Sequence, residues 1–226
     1  MPRDSTDAIK IDAYNHFLPP LYVEMLKQHS KDSGIVKRMT SIHVLWDIEA
    51  RLDMLRQWPE VQQVLTLGLP HPEGLGGPEI SVPAARAAND GLAAACRRWP
   101  ERFPAFVASL PMNDIPAALD EMDRAIGTLG ARGIQIGTNI LGRPLDEAEF
   151  FPVFERIANH HKLPVWMHPL SSRVSPTTAA SRNRATRSGR FSAGPTRPAW
   201  RCRGSCSRGC WTGCRICASS RIIAAA

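Results

Sequence analysis

The chain has 226 residues, of which 43% are hydrophobic, and its formal net charge is +7. This length suits one domain, and a chain this hydrophobic has the composition of a globular protein with a sizeable core. Because it contains no run of 18 apolar residues and no apolar leader segment, we expect a soluble, cytoplasmic protein without a membrane span.

The charge is distributed unevenly along the chain. None of the 21 acidic residues follows Glu155, whereas 13 of the 28 basic residues do. Five of the six cysteines also lie in this last part, namely Cys202, Cys206, Cys210, Cys214 and Cys217. We therefore predict two regions: a folded domain of residues 1–170, and an irregular or disordered tail of residues 171–226 that is rich in Arg, Ser and Cys.

Residues 8–167 alternate between predicted strands and predicted helices. Short apolar runs predict strands at 8–13, 61–67, 103–110, 133–136 and 164–167. Apolar residues at helical spacing predict helices at 21–28, 47–57, 82–98, 114–129 and 147–160. Such alternation predicts a parallel sheet, either as a barrel or as an open doubly wound sheet. No glycine-rich dinucleotide-binding loop follows the first strand to favour the open sheet.

Two histidines stand at the ends of predicted strands. His16 follows the first strand in IDAYNHFLPP, and His168 closes the fifth in LPVWMHPLSS. Parallel α/β folds place their sites at the carboxyl ends of the strands, where an imidazole is a natural ligand for a divalent metal. The alternative is that both are ordinary loop or barrel-rim residues, and spacing alone does not decide between the two.

Several segments resemble, in order, one family of barrel enzymes. IDAYNHFLPP is similar to the opening of amidohydrolase-superfamily proteins in the branch of aminocarboxymuconate-semialdehyde decarboxylase and the hydroxybenzoate decarboxylases. There an Asp, a His or Glu ligand and a second His alternate with other residues before an aromatic residue and a proline. RFPAFVASLPMND and the stretch from GARGIQIGTN to LPVWMHP agree as well. The resemblance covers residues 8–170 and implies an α/β fold, a partial (β/α)8 TIM-type barrel of about five βα units.

The resemblance also implies an activity. We expect a metal-dependent carboxy-lyase, a decarboxylase of an unsaturated or aromatic carboxylic acid, with that small molecule as its substrate. It implies a divalent metal, for which we expect zinc in preference to manganese, and a homodimeric whole enzyme. Hydrolysis of a lactone or a related C–O bond uses the same scaffold and stays open as an alternative.

Carried over by position, the resemblance makes His16 and His168 metal ligands. Tyr14 stands where the family has its first His or Glu ligand, and a phenol ligates zinc only after losing its proton. Tyr14 is therefore a third ligand, or a packing residue at the barrel bottom. In the second case the metal has fewer protein ligands, or Asn15 or water completes the shell, or the metal is weak or absent. We expect Asp12 to orient the loop after the first strand.

Trp46 and Asn139 are the candidate substrate-binding residues. Trp46 would line the pocket, and Asn139, just beyond the fourth predicted strand, would reach a substrate carboxylate. The alternatives are that Trp46 anchors the core and that Asn139 forms a turn. His160 and His161, at the end of the last predicted helix, are expected to be solvated.

The tail fits neither a zinc site nor a disulfide framework. Its cysteines are spaced at intervals of 4, 4, 4 and 3 residues, which matches no zinc-binding pattern, and disulfides are rare in the cytoplasm. A shifted reading frame is a different explanation. In that frame each new codon consists of the third base of one tail codon, which can be chosen freely, and the first two bases of the next codon. From Thr186 onward these codons permit a string that resembles the same family, including a His-His motif. We therefore expect a reading frame lost between residues 169 and 182.

A lost frame has a functional consequence. The family's catalytic histidine and the Asp that completes its metal site would both be missing, so we identify no catalytic residue and expect this truncated chain to be inactive. A different interpretation is a degenerate barrel with a basic tail that binds nucleic acid, which predicts salt-sensitive binding to polyanions. We favour the first interpretation, because it accounts for the charge break, the cysteines and the recovered string together.

Overall fold

The computed structural model of the chain describes residues 8–170 and the backbone of residues 222–224. Its strands are β1 (Lys10–His16), β2 (Val61–Thr66), β3 (Ala105–Phe106), β4 (Ala108–Ser109), β5 (Ile134–Gly137), β6 (Val165–His168) and β7 (Ile222–Ala224). Its helices are α1 (Pro20–His29), α2 (Ser33–Ser41), α3 (Ile48–Leu55), α4 (Pro78–Arg98), α5 (Ile115–Gly127) and α6 (Phe151–Glu155). The last helix continues as a π-helical segment, Arg156–His161. No helix in this part of the chain is long and apolar enough to cross a membrane.

The strands pair in parallel and nearly in chain order. One sheet has the order β1, β2, β3, and the other has the order β4, β5, β6, β7. The sequence predicts one strand at 103–110, which the structure divides at Val107. The Val107 amide donates to the Leu65 carbonyl of β2 at 2.9 Å, so β3 and β4 continue one another. Parallel strands linked by helices in this order confirm the predicted partial (β/α)8 barrel.

Side chains alternate between the helix layer and the interior along each strand. In β6, Val165 and Met167 pack with Ile134 of β5 against α5 and α6. Trp166 and His168 occupy the positions between and after them and therefore point to the opposite face. The interior of the partial barrel thus receives the polar side chains, while the helices cover the apolar ones.

The sheet curves enough for β1 and β6 to meet across this interior. The indole N–H of Trp166 donates to the carbonyl of Ala13 at 2.8 Å, although 153 residues separate them. Among the described strands β1 pairs with β2 alone, so its other edge is open. The curvature brings the carboxyl ends of β1 and β6 together.

The structure contains two elements that the sequence does not predict, α2 and β7. The carboxylate of Asp32 caps α2 by accepting from the amides of Gly34 and Ile35, and Met39 is the one buried residue of that helix. With nine residues the helix is short, which gives an apolar pattern few positions in which to repeat. Residues 222–224, expected to be irregular, instead add β7 to the edge that β6 offers, with Ile222 opposite Val165. The rest of the tail lies outside the described residues.

The prediction for His161 is wrong. Its Nε2 lies 2.7 Å from the Asp123 carboxylate, and its side chain is only 11% exposed. The π-helical segment turns by less per residue than the predicted α-helix, which changes the direction of the side chains at its end. His160 is exposed, as predicted.

Candidate functional site

His16 and His168 lie next to each other at the carboxyl ends of β1 and β6. Their ring centroids are 5.0 Å apart. The ring of Tyr14 completes a triangle, with centroids 5.4 Å from the ring of His16 and 6.2 Å from the ring of His168. The structure therefore brings together the three residues that the sequence predicts as metal ligands, from strands about 150 residues apart in the chain.

Hydrogen bonds fix which nitrogen of His16 is free. The hydroxyl proton of Thr66 is donated to the Asn15 carbonyl, at an O···O distance of 3.2 Å. The Thr66 hydroxyl oxygen can therefore only accept from His16 Nδ1, which lies 2.9 Å away. The imidazole proton is therefore on Nδ1, and Nε2 keeps a lone pair. A histidine that ligates a metal through one nitrogen commonly donates its other N–H in this way.

His168 has the same arrangement. Its Nδ1 lies 3.1 Å from the carbonyl of Pro169, which can only accept, so Nδ1 carries the proton and Nε2 is free. Both imidazoles thus offer an unprotonated Nε2.

Burial keeps the pair neutral. It lowers the pKa of His16 to about 4, with the neighbouring His168 adding to the effect and the Leu67 carbonyl opposing it. Burial also lowers the pKa of His168, which its bond to Pro169 partly offsets. Neutral imidazole is the form that binds a metal, so at pH 7 neither ring needs to lose a proton first.

These two imidazoles fit a divalent metal as part of a ligand set. Within residues 8–170 no cluster of three or more His, Cys, Asp or Glu side chains is arranged to hold a metal ion. Tyr14 is protonated here, because burial raises the pKa of its phenol well above the usual 10. Its hydroxyl oxygen is buried and has no hydrogen-bond partner among the described residues.

Asp12 shapes the irregular part of β1 between Asp12 and Asn15. Its carboxylate accepts from the Tyr14 amide at 3.3 Å and from the Asn15 side chain at 2.6 Å. The register of β1 against β2 shifts between Asp12 and Asn15. The carboxylate therefore holds the irregular part of β1 that carries Tyr14, as expected of an orienting group.

His71 and Gln135 belong to the same cluster, and the sequence analysis missed both. The His71 ring meets the His168 ring edge-on, with centroids 5.3 Å apart. Gln135 Nε2 donates to the Leu67 carbonyl at 2.8 Å and lies 3.1 Å from His71 Nε2. Since the amide nitrogen can only donate, His71 Nε2 accepts and its proton is on Nδ1. The position of His71 just after the strand predicted at 61–67 was a usable signal.

Glu73 lies beside His71 and is almost fully buried. Its Oε1 is 3.8 Å from His71 Nδ1, and its Oε2 has no partner among the described residues. Burial raises the pKa of Glu73 to about 7 and lowers that of His71 to about 3. An ion pair between the two groups would require a protonated His71. At neutral pH His71 is neutral, so the two side chains lie side by side without forming an ion pair.

Arg51 of α3, only 2% exposed, packs against the end of β1 on the helix side of the sheet. It donates to the carbonyls of Val44 and His16 and to the side-chain oxygens of Asn15 and Gln63. Burial lowers the pKa of Arg51 to about 10, which leaves it charged at neutral pH. It therefore ties α3 to the end of β1, where His16 projects.

The side chains of Trp46 and Asn139 both make contacts within the fold. The Trp46 indole donates to the Thr40 carbonyl at 3.0 Å and packs on the core around α1. Asn139 accepts from the Gly142 amide at 2.8 Å, which closes a turn after β5. In this structure both residues therefore make the contacts of a core anchor and of a turn former.

The architecture already defines a class, a parallel (β/α)8-type barrel with imidazoles at the carboxyl ends of its strands. Comparison with known proteins names the family. A family model described as amidohydrolase matches residues 11–195, so the chain belongs to the amidohydrolase family. The match begins in β1 and extends beyond residue 170, where the sequence resemblance was expected to end.

The curated relatives include decarboxylases. "Decarboxylase yanB" from Aspergillus niger is 33% identical over 182 residues, which are 78% of this chain and 46% of that protein. The 2-amino-3-carboxymuconate-6-semialdehyde decarboxylase of Dictyostelium discoideum is 35% identical over 165 residues, 66% of this chain and 45% of that protein. The chain thus spans about half the length of the relatives that it matches.

A solved structure agrees with this relationship. The 5-carboxyvanillate decarboxylase of Novosphingobium aromaticivorans, solved with bound manganese, superposes with a TM-score of 0.64 and 27% identity. The superposition covers 74% of this chain and 53% of that one. The barrel fold is therefore common to both.

Proposed function

We propose that this chain carries part of the active site of a metal-dependent decarboxylase, whose substrate is a small aromatic or unsaturated carboxylic acid. The observation that carries the proposal is the pair of neutral imidazoles, His16 and His168, each with Nδ1 satisfied and Nε2 free. The names of the relatives support decarboxylation over the hydrolytic alternative.

His16 and His168 would hold the metal through Nε2. A bound divalent cation would supply Lewis-acid polarisation of a substrate oxygen. Our expectation of zinc in preference to manganese has no support from the solved neighbours, three of which were solved with bound manganese. We therefore propose a divalent metal and test both ions. The expectation that Tyr14 is a third ligand is tested together with the inference below.

Residues of this chain orient the two imidazole rings. Thr66 Oγ1 and the Pro169 carbonyl hold the two Nδ1–H groups, which fixes the orientation of both rings and leaves Nε2 to bind the metal. Burial keeps both rings neutral, and Trp166 closes the interior between β6 and β1. Within residues 8–170 we assign no group that protonates the substrate carbon, so we propose that this chain alone does not turn over.

Metal titration tests the proposal. The 226-residue chain is titrated with Mn²⁺ and Zn²⁺, and bound metal is measured after equilibrium dialysis. His16→Gln and His168→Gln should each weaken binding at least about tenfold, because each removes one of two ligands. His160→Gln is the matched control, since His160 is exposed and remote from the pair. Equal binding by all four proteins would refute the metal site.

We further propose that the tail of residues 171–226 results from a lost reading frame. Resequencing the gene across the codons for residues 169–182 tests this directly. A single inserted or deleted base there should restore the family-like string, and the restored protein should release carbon dioxide from 2,6-dihydroxybenzoate or a related acid. An intact frame in independent clones would contradict the frameshift and favour the basic nucleic-acid-binding tail.

A further inference from the structure

Four buried side-chain atoms have no hydrogen-bond partner in the described part of the chain. They are Tyr14 Oη, Ser109 Oγ, Glu73 Oε2 and Gln135 Oε1. An unpartnered polar atom is costly to bury, so each marks a place where a ligand or an ordered water can act. The oxygens of Gln135 and of an ionised Glu73 accept, whereas the hydroxyls of Tyr14 and Ser109 can donate.

Tyr14 is the one of these four whose side chain lies against both candidate metal ligands. Its ring is nearly perpendicular to that of His16, at an interplanar angle of 84°, and is tilted by 44° from that of His168. Although the register of β1 shifts between Asp12 and Asn15, the 5.4 Å between the ring centroids of Tyr14 and His16 places both rings on the same side of the strand. The Tyr14 ring, with its buried hydroxyl, therefore lies beside both imidazole rings.

A carboxylate is the group that best complements this hydroxyl. A phenol carries its proton at neutral pH and donates it, and a carboxylate oxygen can only accept. Hydrogen bonds to an ionised group are shorter and stronger than bonds between neutral groups.

We propose that the Tyr14 hydroxyl is a substrate-binding donor to the substrate carboxylate, beside His16 and His168, and not a metal ligand. This inference rests on the proposed function, because it needs a carboxylic acid substrate at the histidine pair. It assigns Tyr14 a different role from the ligand role that its position in the sequence predicts. The hydroxyl would orient the carboxylate, while the two imidazoles remain free to hold the metal.

The experiment compares the two tyrosines of the chain. The 226-residue protein, Tyr14→Phe and Tyr22→Phe are each titrated with 2,6-dihydroxybenzoate at saturating Mn²⁺, and separately with Mn²⁺ alone. Tyr22 is the matched control, because its buried hydroxyl already donates to the Pro70 carbonyl at 2.6 Å. Thermal unfolding of all three proteins accompanies the titrations.

We expect Tyr14→Phe to bind 2,6-dihydroxybenzoate about tenfold more weakly or worse, as loss of a hydrogen bond to a charged group implies. Its affinity for Mn²⁺ should stay within about twofold of the parent, because both imidazoles are retained. Its melting temperature should not fall, since the lost hydroxyl has no partner. Tyr22→Phe should show the opposite pattern, a lower melting temperature with unchanged affinity for the acid.

Each contrary outcome overturns the inference in a recognisable way. Unchanged affinity of Tyr14→Phe for the acid means that the hydroxyl does not contact it. A parallel loss of Mn²⁺ binding means that Tyr14 is a ligand after all. A parent protein that binds Mn²⁺ but not the acid overturns the inference and leaves the metal site intact. A parent that binds neither overturns the proposed function as well.

Discussion

The guanidinium of Arg51 in α3 donates a hydrogen bond to the backbone carbonyl of His16 at the end of β1. The same group also holds the side chain of Asn15, so two successive residues of the strand are fixed from the helix side. His16 is a candidate metal ligand. The contacts of Arg51 on the helix-covered face of β1 therefore help to fix the position of that ligand.

Arg51→Met should therefore weaken both folding and metal binding. The substitution leaves several buried acceptors unpaired, and we expect a loss of at least about 2 kcal/mol in the free energy of unfolding. We also expect about tenfold weaker Mn²⁺ binding, of the size seen when a group that orients a ligand is removed. Urea unfolding and metal titration measure the two effects.

Arg56→Met is the control for Arg51. Its guanidinium is exposed and pairs with Asp53 at 3.0 Å in the same helix, so its loss should cost no more than about 0.5 kcal/mol. If Arg51→Met kept the parent's Mn²⁺ affinity under conditions where it is folded, the link between the helix and the ligand would be wrong.

Trp166→Phe tests the contact that closes the interior between β6 and β1. Phenylalanine keeps an aromatic ring but removes the indole N–H that the Ala13 carbonyl accepts, and it leaves a small space. We expect a loss of about 1–3 kcal/mol in the free energy of unfolding, from the unpaired carbonyl and the missing volume. Trp58→Phe, on an exposed tryptophan, should be close to neutral. Equal stabilities for the two variants in urea would argue against the cross-barrel contact.

Glu73 predicts a dependence of stability on pH. Burial raises the pKa of its carboxyl from 4.5 to about 7, so between these values the folded state binds more protons than the unfolded state. The stability gained from protonation is present below pH 4.5 and is lost as the pH rises through about 7. Glu73→Gln imitates the protonated form. It should match the parent near pH 4.5 and exceed its unfolding free energy by up to about 3 kcal/mol at pH 8.

The difference between the two proteins isolates Glu73 from its neighbours. The pKa values of His16 and His71 are lowered to about 4 and about 3. Because of these two groups, the free energy of unfolding of the protein decreases as the pH falls below 6.5. This opposite trend is present in both proteins and cancels in the comparison. Urea unfolding at pH 4.5, 6 and 8 measures the difference, and a constant offset across that range would show that Glu73 is ionised in the fold throughout.

The elements that could be predicted from the sequence are those whose pattern lies within one short segment of the chain. Apolar periodicity located β2, β5, β6 and most helices, because period 2 and period 3.6 are properties of short segments. It missed α2, which buries little, and the division at Val107, which follows from pairing to two different neighbours. Cysteine spacing and charge drew attention to the tail, most of which lies outside the described residues.

The candidate site shows the same division. His16 and His168 were candidates from the sequence, because both follow predicted strands, parallel strands present their carboxyl ends at one face, and the family resemblance covers both positions. His71, just beyond the second predicted strand, could have been identified in the same way. Arg51 and Gln135 could not, since their roles depend on neighbours brought together from other strands and helices. The free Nε2 atoms of His16 and His168 and the unpartnered hydroxyl of Tyr14 are likewise properties of tertiary packing. Only the folded chain sets which polar atoms are buried and which of them find partners.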